Sequence, residues 1–212
     1  GGHCLFITTP TGKNWAYDLF QKGLDPLELN WSSHTYTSLE GGRIPAEEIE
    51  AARGDLDART FRQEYEASWE NYSGLIYFAY GAEHNLAPYT DPPSRHLLIG
   101  CDFNAVKTSA GGRSDITILE NSGIKCVYPR RHMAVKDRIN AVNSALCSSD
   151  GTVKLRISPN CKKTIECLTK QTYKVGTQVP DKSSGFDHQN DALGYAVSSI
   201  YPIKPDRVEQ EP

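Results

Sequence analysis

Three short apolar runs in the second half of the chain predict buried strands. They occupy residues 97–101, 116–119 and 124–127, and their length and flanking polar residues are typical of strands. Residues 121–123, Asn-Ser-Gly, separate the last two runs and predict a hairpin turn. We therefore expect an antiparallel meander in this part of the chain.

Apolar residues spaced three or four positions apart predict three helices after the meander. The stripes are Ile139, Val142 and Leu146, then Cys161, Ile165 and Leu168, then Leu193, Ala196, Val197 and Ile200 in a helix that starts near His188. Residues 153–157 alternate and predict a strand between the first two helices, and residues 173–175 predict a short strand. This order is the plan of an α/β, ribonuclease-H-like domain, with an antiparallel meander and parallel strands in one mixed sheet flanked by helices.

The first half of the chain has fewer regular patterns. Pro45 predicts the start of a short helix over residues 46–53, because proline is favoured in the first helical turn. Asp57 is expected to cap a second short helix, in which Phe61 and Tyr65 are four positions apart and share one face.

The charge is unevenly distributed. The 212 residues have a net charge of −3, yet residues 125–174 hold 11 Lys and Arg against 3 Asp and Glu, a net of +8. A local excess of this kind indicates a surface for a polyanion, although a solvated basic face remains an equal alternative. No apolar run approaches the length of a membrane-spanning helix, so no membrane partner is expected.

Four residues are candidates for catalysis. Asp102 directly follows a predicted buried strand, and Asp187 and Asp191 are four positions apart on one helical face with His188 beside them. Carboxylates that come together from separate elements are the ligands that Mg²⁺ prefers, and two such ions cleave phosphodiesters in many nucleases. We expect Asp102, Asp191 and Asp187 to bind Mg²⁺ or Mn²⁺. The alternatives are a turn-forming Asp102 and acids that favour the helix dipole.

A third acid is missing where this fold would supply one. The predicted strand that ends at Ile157 is followed by Ser158 and Asn160, which are weak ligands for Mg²⁺. Asp115 is a possible substitute, though a loop residue is the more ordinary interpretation. Glu120 and Asp137 are weaker candidates still.

Basic pairs lie within the positive region. They are Arg130 and Arg131, and Lys162 and Lys163. No recognition helix accompanies them, so we expect them to contact DNA phosphates rather than bases, with binding that tolerates sequence and depends on salt.

Three segments carry a resemblance to a known family. Residues 1–14 end in Thr-Thr-Pro-Thr-Gly-Lys-Asn, residues 61–65 read Phe-Arg-Gln-Glu-Tyr, and residues 187–195 read Asp-His-Gln-Asn-Asp-Ala-Leu-Gly-Tyr. In this order they resemble the last ATPase strand, the linker and the closing nuclease motif of tailed-phage large terminases, the P22-like headful packagers in particular. The Walker A positions that would bind ATP hold Ile7 and Asn14 instead.

The resemblance implies a division of the chain and a role for it. Residues 1–20 would be the last strand and turn of an ATPase motor domain, 21–94 a linker with short helices, 95–205 the nuclease domain and 206–212 a tail. The domain would cut concatemeric double-stranded viral DNA during packaging in the host cytoplasm, with two ions. ATP would be bound only by the longer protein, whose partners would be the small terminase subunit and the portal protein.

Two other functions remain open from the residues. A resolvase or transposase on the same fold would use similar acids, but it has no need of the Thr-Thr-Pro segment. A DNA-binding or docking module without activity would explain Ser158 in place of an acid.

Overall fold

A computed structural model describes residues 2–89, 98–102, 115–127 and 133–203, apart from the side chain of Asp115. Within these residues the chain forms nine helices. They are α1 (Trp15–Leu24), α2 (Ser38–Gly41), α3 (Ala46–Asp55), α4 (Ala58–Tyr65), α5 (Ala82–Asn85), α6 (Asp115–Asn121), α7 (Val135–Leu146), α8 (Lys162–Lys170) and α9 (Asp187–Ile200).

Helix α7 is the centre of the molecule. Every residue from Arg138 to Leu146 is buried, and the helix packs mainly against α9, which in turn packs against α8. The core around it is formed by Ile76, Tyr77, Ile139, Val142, Ala145, Leu146, Ile157, Leu168 and Val197. Because each large aliphatic side chain buried there contributes about 1.5–3 kcal/mol, this cluster holds α7 and α9 in a fixed relation.

Two buried amide side chains inside the core have hydrogen-bond partners. Asn85 donates to the carbonyl oxygens of Leu146 and Leu155 at 2.8 and 3.0 Å. Asn143 donates to the carbonyl oxygen of Ile76 at 2.9 Å. These bonds tie the chain before residue 87 to α7, so the core has side chains on both sides of residue 94, where the sequence suggests a boundary. The proposed division into domains stays a prediction.

The helices predicted from spacing are confirmed. Helices α7, α8 and α9 carry the three apolar stripes, except that Cys161 is the residue directly before α8. Asp57 caps α4 by accepting hydrogen bonds from the amides of Arg59 and Thr60, both at 3.0 Å. Phe61 and Tyr65 stack at 5.1 Å between ring centroids.

The hairpin predicted across residues 116–127 is wrong. Its first predicted strand is helix α6, which ends at the same Asn-Ser-Gly segment. Gly123 has a φ of 81° and donates to Glu120, while Ile124 donates back to the carbonyl of Leu119. These two bonds form a Schellman motif, in which a left-handed glycine closes a helix. A glycine after a polar pair is compatible with a hairpin turn and with the end of a helix. The short apolar run before it did not distinguish a strand from a helix.

The other predicted strands are not formed as strands within the described residues. Those residues contain only isolated bridges, among them Leu86 with Ile157 in parallel and Tyr173 with Pro180 in antiparallel orientation. Residues 98–102 are irregular, and Leu98 and Ile99 are 51% and 68% exposed, so this segment is not the buried strand that its composition suggests. Residues 5–8, the apolar part of the segment that the resemblance assigns to the last ATPase strand, are likewise exposed and form no strand.

No helix in the described parts of the chain is both long and apolar enough to cross a membrane.

Candidate functional site

The start of α9 brings acidic side chains together. Gly185 has a φ of 70° and makes the turn that leads into the helix, and Asp187 occupies its first turn. A carboxylate is favoured there by the helix dipole. Asp187 is nevertheless only 4% exposed, and its Oδ1 atom has no hydrogen-bond partner among the described residues. A buried carboxylate oxygen without a partner is costly and indicates a group kept for another purpose.

A lysine ammonium lies between the two acids of this helix. Lys182 Nζ is 3.4 Å from Oδ2 of Asp187 and 3.3 Å from Oδ2 of Asp191. Two carboxylates at this spacing repel one another, and the shared cation offsets that repulsion. The prediction that Asp187 and Asp191 share one helical face is therefore confirmed, with a basic side chain in the position between them.

The other oxygen of Asp191 faces a buried arginine. Arg138 on α7 is 3.4 Å from Oδ1 of Asp191, and its side chain is 8% exposed. Its guanidinium stacks on Tyr195 at 4.3 Å from the ring centroid, while Nε and Nη1 have no partner among the described residues. Burial, with a contribution from the Asp191 charge, raises the pKa of Tyr77 at the same place. Asp191 is thus anchored from the core side.

Asp102 reaches the same end of α9 from a distant part of the sequence. A Cβ atom on Gly100 would collide with the carbonyl oxygen of Ala192, so glycine allows residues 98–102 to lie directly on the helix. Asp102 Oδ2 is then 3.0 Å from Nδ1 of His188. That hydrogen bond, followed by the charge of Asp187, raises the pKa of His188. His188 is three positions, nearly one helical turn, before Asp191, so this hydrogen bond brings Asp102 to the end of α9 that carries Asp191.

The acids at the start of α9 offer oxygen ligands for one cation, but they do not form a complete coordination site. Its donors are carboxylate oxygens, which hard divalent cations prefer, and one of them is buried without a partner among the described residues. Within that same part of the chain, no three His, Cys, Asp or Glu side chains are already placed to hold an ion together. The residues present therefore fit a metal ion held by the α9 acids, with Lys182 as its competitor.

The structure supplies no acid, among the residues it describes, where the fold would place a third. Ser158 and Asn160 line a cleft of about 700 Å³ with Tyr89, Arg156 and Leu193. Glu120 on α6 and Asp137 on α7 are exposed, and the side chain of Asp115 lies outside the described residues.

Only one of the two basic pairs lies within the described residues. Lys162 and Lys163 begin α8 and are exposed, and Lys163 donates to Glu166 at 3.2 Å, which offsets part of its charge. Arg130 and Arg131 lie outside the described residues. The DNA-contacting role of all four stays a prediction.

Sequence reasoning missed Arg138 and Lys182 as part of this site. Arg138 could have been found, because it is four positions before Val142 and so lies on the buried face of the α7 stripe. Lys182 gave no such signal. Its contact with the acids depends on the turn at residues 182–185, where the amide of Gly185 donates to the carbonyl of Lys182 at 3.3 Å.

Two comparisons of the sequence with known proteins both find terminases. Residues 98–199 match the family described as the terminase RNaseH-like domain. A stretch of 78 residues is 37% identical to the large subunit of terminase from Escherichia phage T5, covering 37% of this chain and 18% of that protein.

Solved structures agree on the fold. The large terminase of a thermophilic bacteriophage, in complex with ADP, superimposes with a TM-score of 0.63 at 17% identity, over 90% of this chain and 60% of that one. The same large terminase in complex with ATP-gamma-S gives 0.61 at 17% identity, over 89% and 61%. The chain therefore spans less than two thirds of the length of these relatives. At this identity the likeness shows only that the chain shares the fold of that large terminase, and the RNaseH-like description comes from the family match over residues 98–199.

Proposed function

Because residues 98–199 match the RNaseH-like domain of terminases, we propose that this chain cuts double-stranded DNA during viral genome packaging. The proposed reaction is hydrolysis of phosphodiester bonds in concatemeric DNA, with Mg²⁺ or Mn²⁺. The observation that carries it is the hydrogen bond between Asp102 and His188, which brings Asp102 to the end of α9 that carries Asp191, although Asp191 lies 89 positions later in the chain. A P22-like headful subtype stays a prediction.

Asp191 and Asp187 would hold the divalent cation, and Asp102 would complete the site. When bound, such a cation supplies positive charge that activates water and stabilises charge on the scissile phosphate. Arg138 keeps Asp191 in position through its contact at 3.4 Å. The hydrogen bond from His188 Nδ1 to Asp102 orients the ring and leaves Nε2 for a proton or a phosphate oxygen of the substrate.

The distribution of charge along the chain supports a substrate that is a polyanion. Lys162 and Lys163 belong to a region with a net charge of +8 over residues 125–174, 11 basic against 3 acidic. Phosphate contacts of this type steer a duplex without reading its sequence. Arg130 and Arg131 are part of the same proposal.

The sheet, the longer protein and its partners are proposed on the same premise. The isolated bridges at Ile157 and Tyr173 are compatible with a mixed sheet in this region. ATP hydrolysis, the small terminase subunit, the portal protein and action in the host cytoplasm would be properties of the longer protein.

The test is cleavage of supercoiled plasmid by the 212-residue chain at low salt with MnCl₂ or EDTA. We expect cutting only with Mn²⁺. Asp191→Asn and Asp102→Asn should each reduce the rate of cutting at least about 100-fold, because losing a residue that merely supports a metal ligand already costs up to about 100-fold. Asp18→Asn, the same change on the exposed side of α1, is the matched control.

The outcomes separate the rival functions. Undiminished cutting by both site variants would remove the site assignment. DNA binding without cutting at any metal concentration would favour the docking module, an alternative supported by the two basic side chains that already pair with Asp191.

A further inference from the structure

Lys182 stands where a cation would be most stable in the proposed site. Its ammonium is 3.3–3.4 Å from one oxygen of Asp187 and one of Asp191, and the two acids are the pair proposed above to hold the divalent ion. The lysine side chain is 57% exposed, whereas the carboxylate groups are 5% and 20% exposed. The ammonium therefore covers the acids from the solvent side.

The second basic group at the site is held differently. Arg138 contacts the other oxygen of Asp191, is 8% exposed and stacks on Tyr195. It cannot leave without disrupting the packing of α7 on α9. Lys182 belongs to a surface turn and can swing away with rotation of its own side chain, since a long lysine loses rotamer freedom when it is held.

One observation shows that the pairing is incomplete. Asp187 is 4% exposed and keeps Oδ1 without a partner among the described residues even with the lysine in place. A single ammonium contact at 3.4 Å does not satisfy a buried carboxylate, whereas a divalent ion has the charge and coordination number to do so.

We propose that Lys182 is the resident counter-ion of the α9 acids, which competes with the divalent cation and thereby sets the affinity of the site for metal. The inference rests on the proposed function, because it concerns the same two carboxylates. Lys182 holds the acids together in the metal-free protein and is displaced when the cation binds. It is a positioning residue, not a catalytic one.

Calorimetric titration of the chain with MnCl₂ tests this. Lys182→Gln removes the charge and keeps most of the length, and we expect Mn²⁺ binding to become tighter on the order of tenfold, since a unit charge about 4 Å away is lost. Lys182→Arg keeps the charge and is expected to bind Mn²⁺ like the original chain. Lys22→Gln, which breaks an ion pair with Glu28 far from α9 in the sequence, is the matched control.

The results separate the inference from the function beneath it. Mn²⁺ binding that Asp191→Asn abolishes but Lys182→Gln leaves unchanged or weakens would overturn the inference and leave the metal site standing. If the only role of Lys182 were to hold the turn at residues 182–185 against α9, Lys182→Gln would weaken Mn²⁺ binding. If neither the original chain nor Lys182→Gln binds Mn²⁺, both the inference and the proposed metal site fall. Binding gained only in Lys182→Gln supports both.

Discussion

The core around α7 and the first turn of α9 bury polar groups to a similar degree, but they differ in whether those groups have hydrogen-bond partners. In the core, Asn85 and Asn143 are 0% and 1% exposed, and each amide both donates and accepts. At α9, Asp187 is 4% exposed and one of its oxygens has no partner among the described residues.

Charge separates the two regions further. The core amides are neutral, so their hydrogen bonds offset the loss of water. The α9 site gathers Asp187 and Asp191 on one face and leaves two nitrogens of Arg138 without partners in the described part of the chain. The satisfied amides of the core hold the fold together, whereas the unsatisfied oxygen of Asp187 lies where we expect an ion to complete the α9 site.

The largest effect is expected in the core. Asn85→Ala would leave the carbonyl oxygens of Leu146 and Leu155 and the amide of Gly81 without their partner. We expect the free energy of unfolding to fall by about 2–4 kcal/mol, because each buried group left unpaired costs about 1–3 kcal/mol. Urea denaturation followed by circular dichroism measures it.

The control is Asn30→Ala at an exposed position, where a change within about 0.5 kcal/mol is expected. A loss of less than about 1 kcal/mol for Asn85→Ala would show that these bonds are replaceable. The core amides would then not stabilise the fold as the comparison of the two regions requires.

The second prediction concerns the acids. Asp187→Asn keeps the shape, removes a buried charge and relieves repulsion from Asp191, while it loses the ion pair with Lys182. We expect these effects to cancel to within about 0.5 kcal/mol in EDTA, since burying an ion pair costs about as much as it returns. A loss above about 2 kcal/mol in the same denaturation experiment would make Asp187 a structural residue like Asn85.

The two regions also differ in how far the sequence alone could describe them. Helices α7, α8 and α9 follow from apolar spacing, and the α4 cap follows from Asp57, because these signals are local. The strand predicted at 116–119 was wrong, since a four-residue segment with three apolar residues fits a strand and a helix equally well.

The site was partly accessible for the same reason. Asp187 and Asp191 could be paired by their spacing within one helix. The contact between Asp102 and His188 spans 86 positions. The sequence predicted only that Asp102 would join the α9 acids at a metal site, because no local pattern encodes which residues of distant segments come into contact. The Lys182 contact depends on one turn and on side-chain reach, neither of which leaves a periodic signal.

The smallest effect sharpens the α9 side of the comparison. The hydrogen bond to Asp102, helped by the charge of Asp187, raises the pKa of His188 above its ordinary value of 6.5. Asp102→Asn should lower that pKa, because the amide cannot stabilise the imidazolium as a carboxylate does. NMR titration of the chain in EDTA measures it, with the His34 signal as an internal reference.

The sign of the linked stability follows from that direction. A raised folded-state pKa means that the contribution of the Asp102–His188 pair is fully present below the unfolded value near 6.5 and is lost as the pH rises through the folded value. The unfolding midpoints of the original chain and Asp102→Asn should therefore differ more at about pH 5.5 than at about pH 8.5. Equal differences at both pH values, together with an unchanged His188 pKa, would mean that Asp102 and His188 do not interact in solution. The α9 site would then lose the one contact, among the described residues, that links its acids to Asp102.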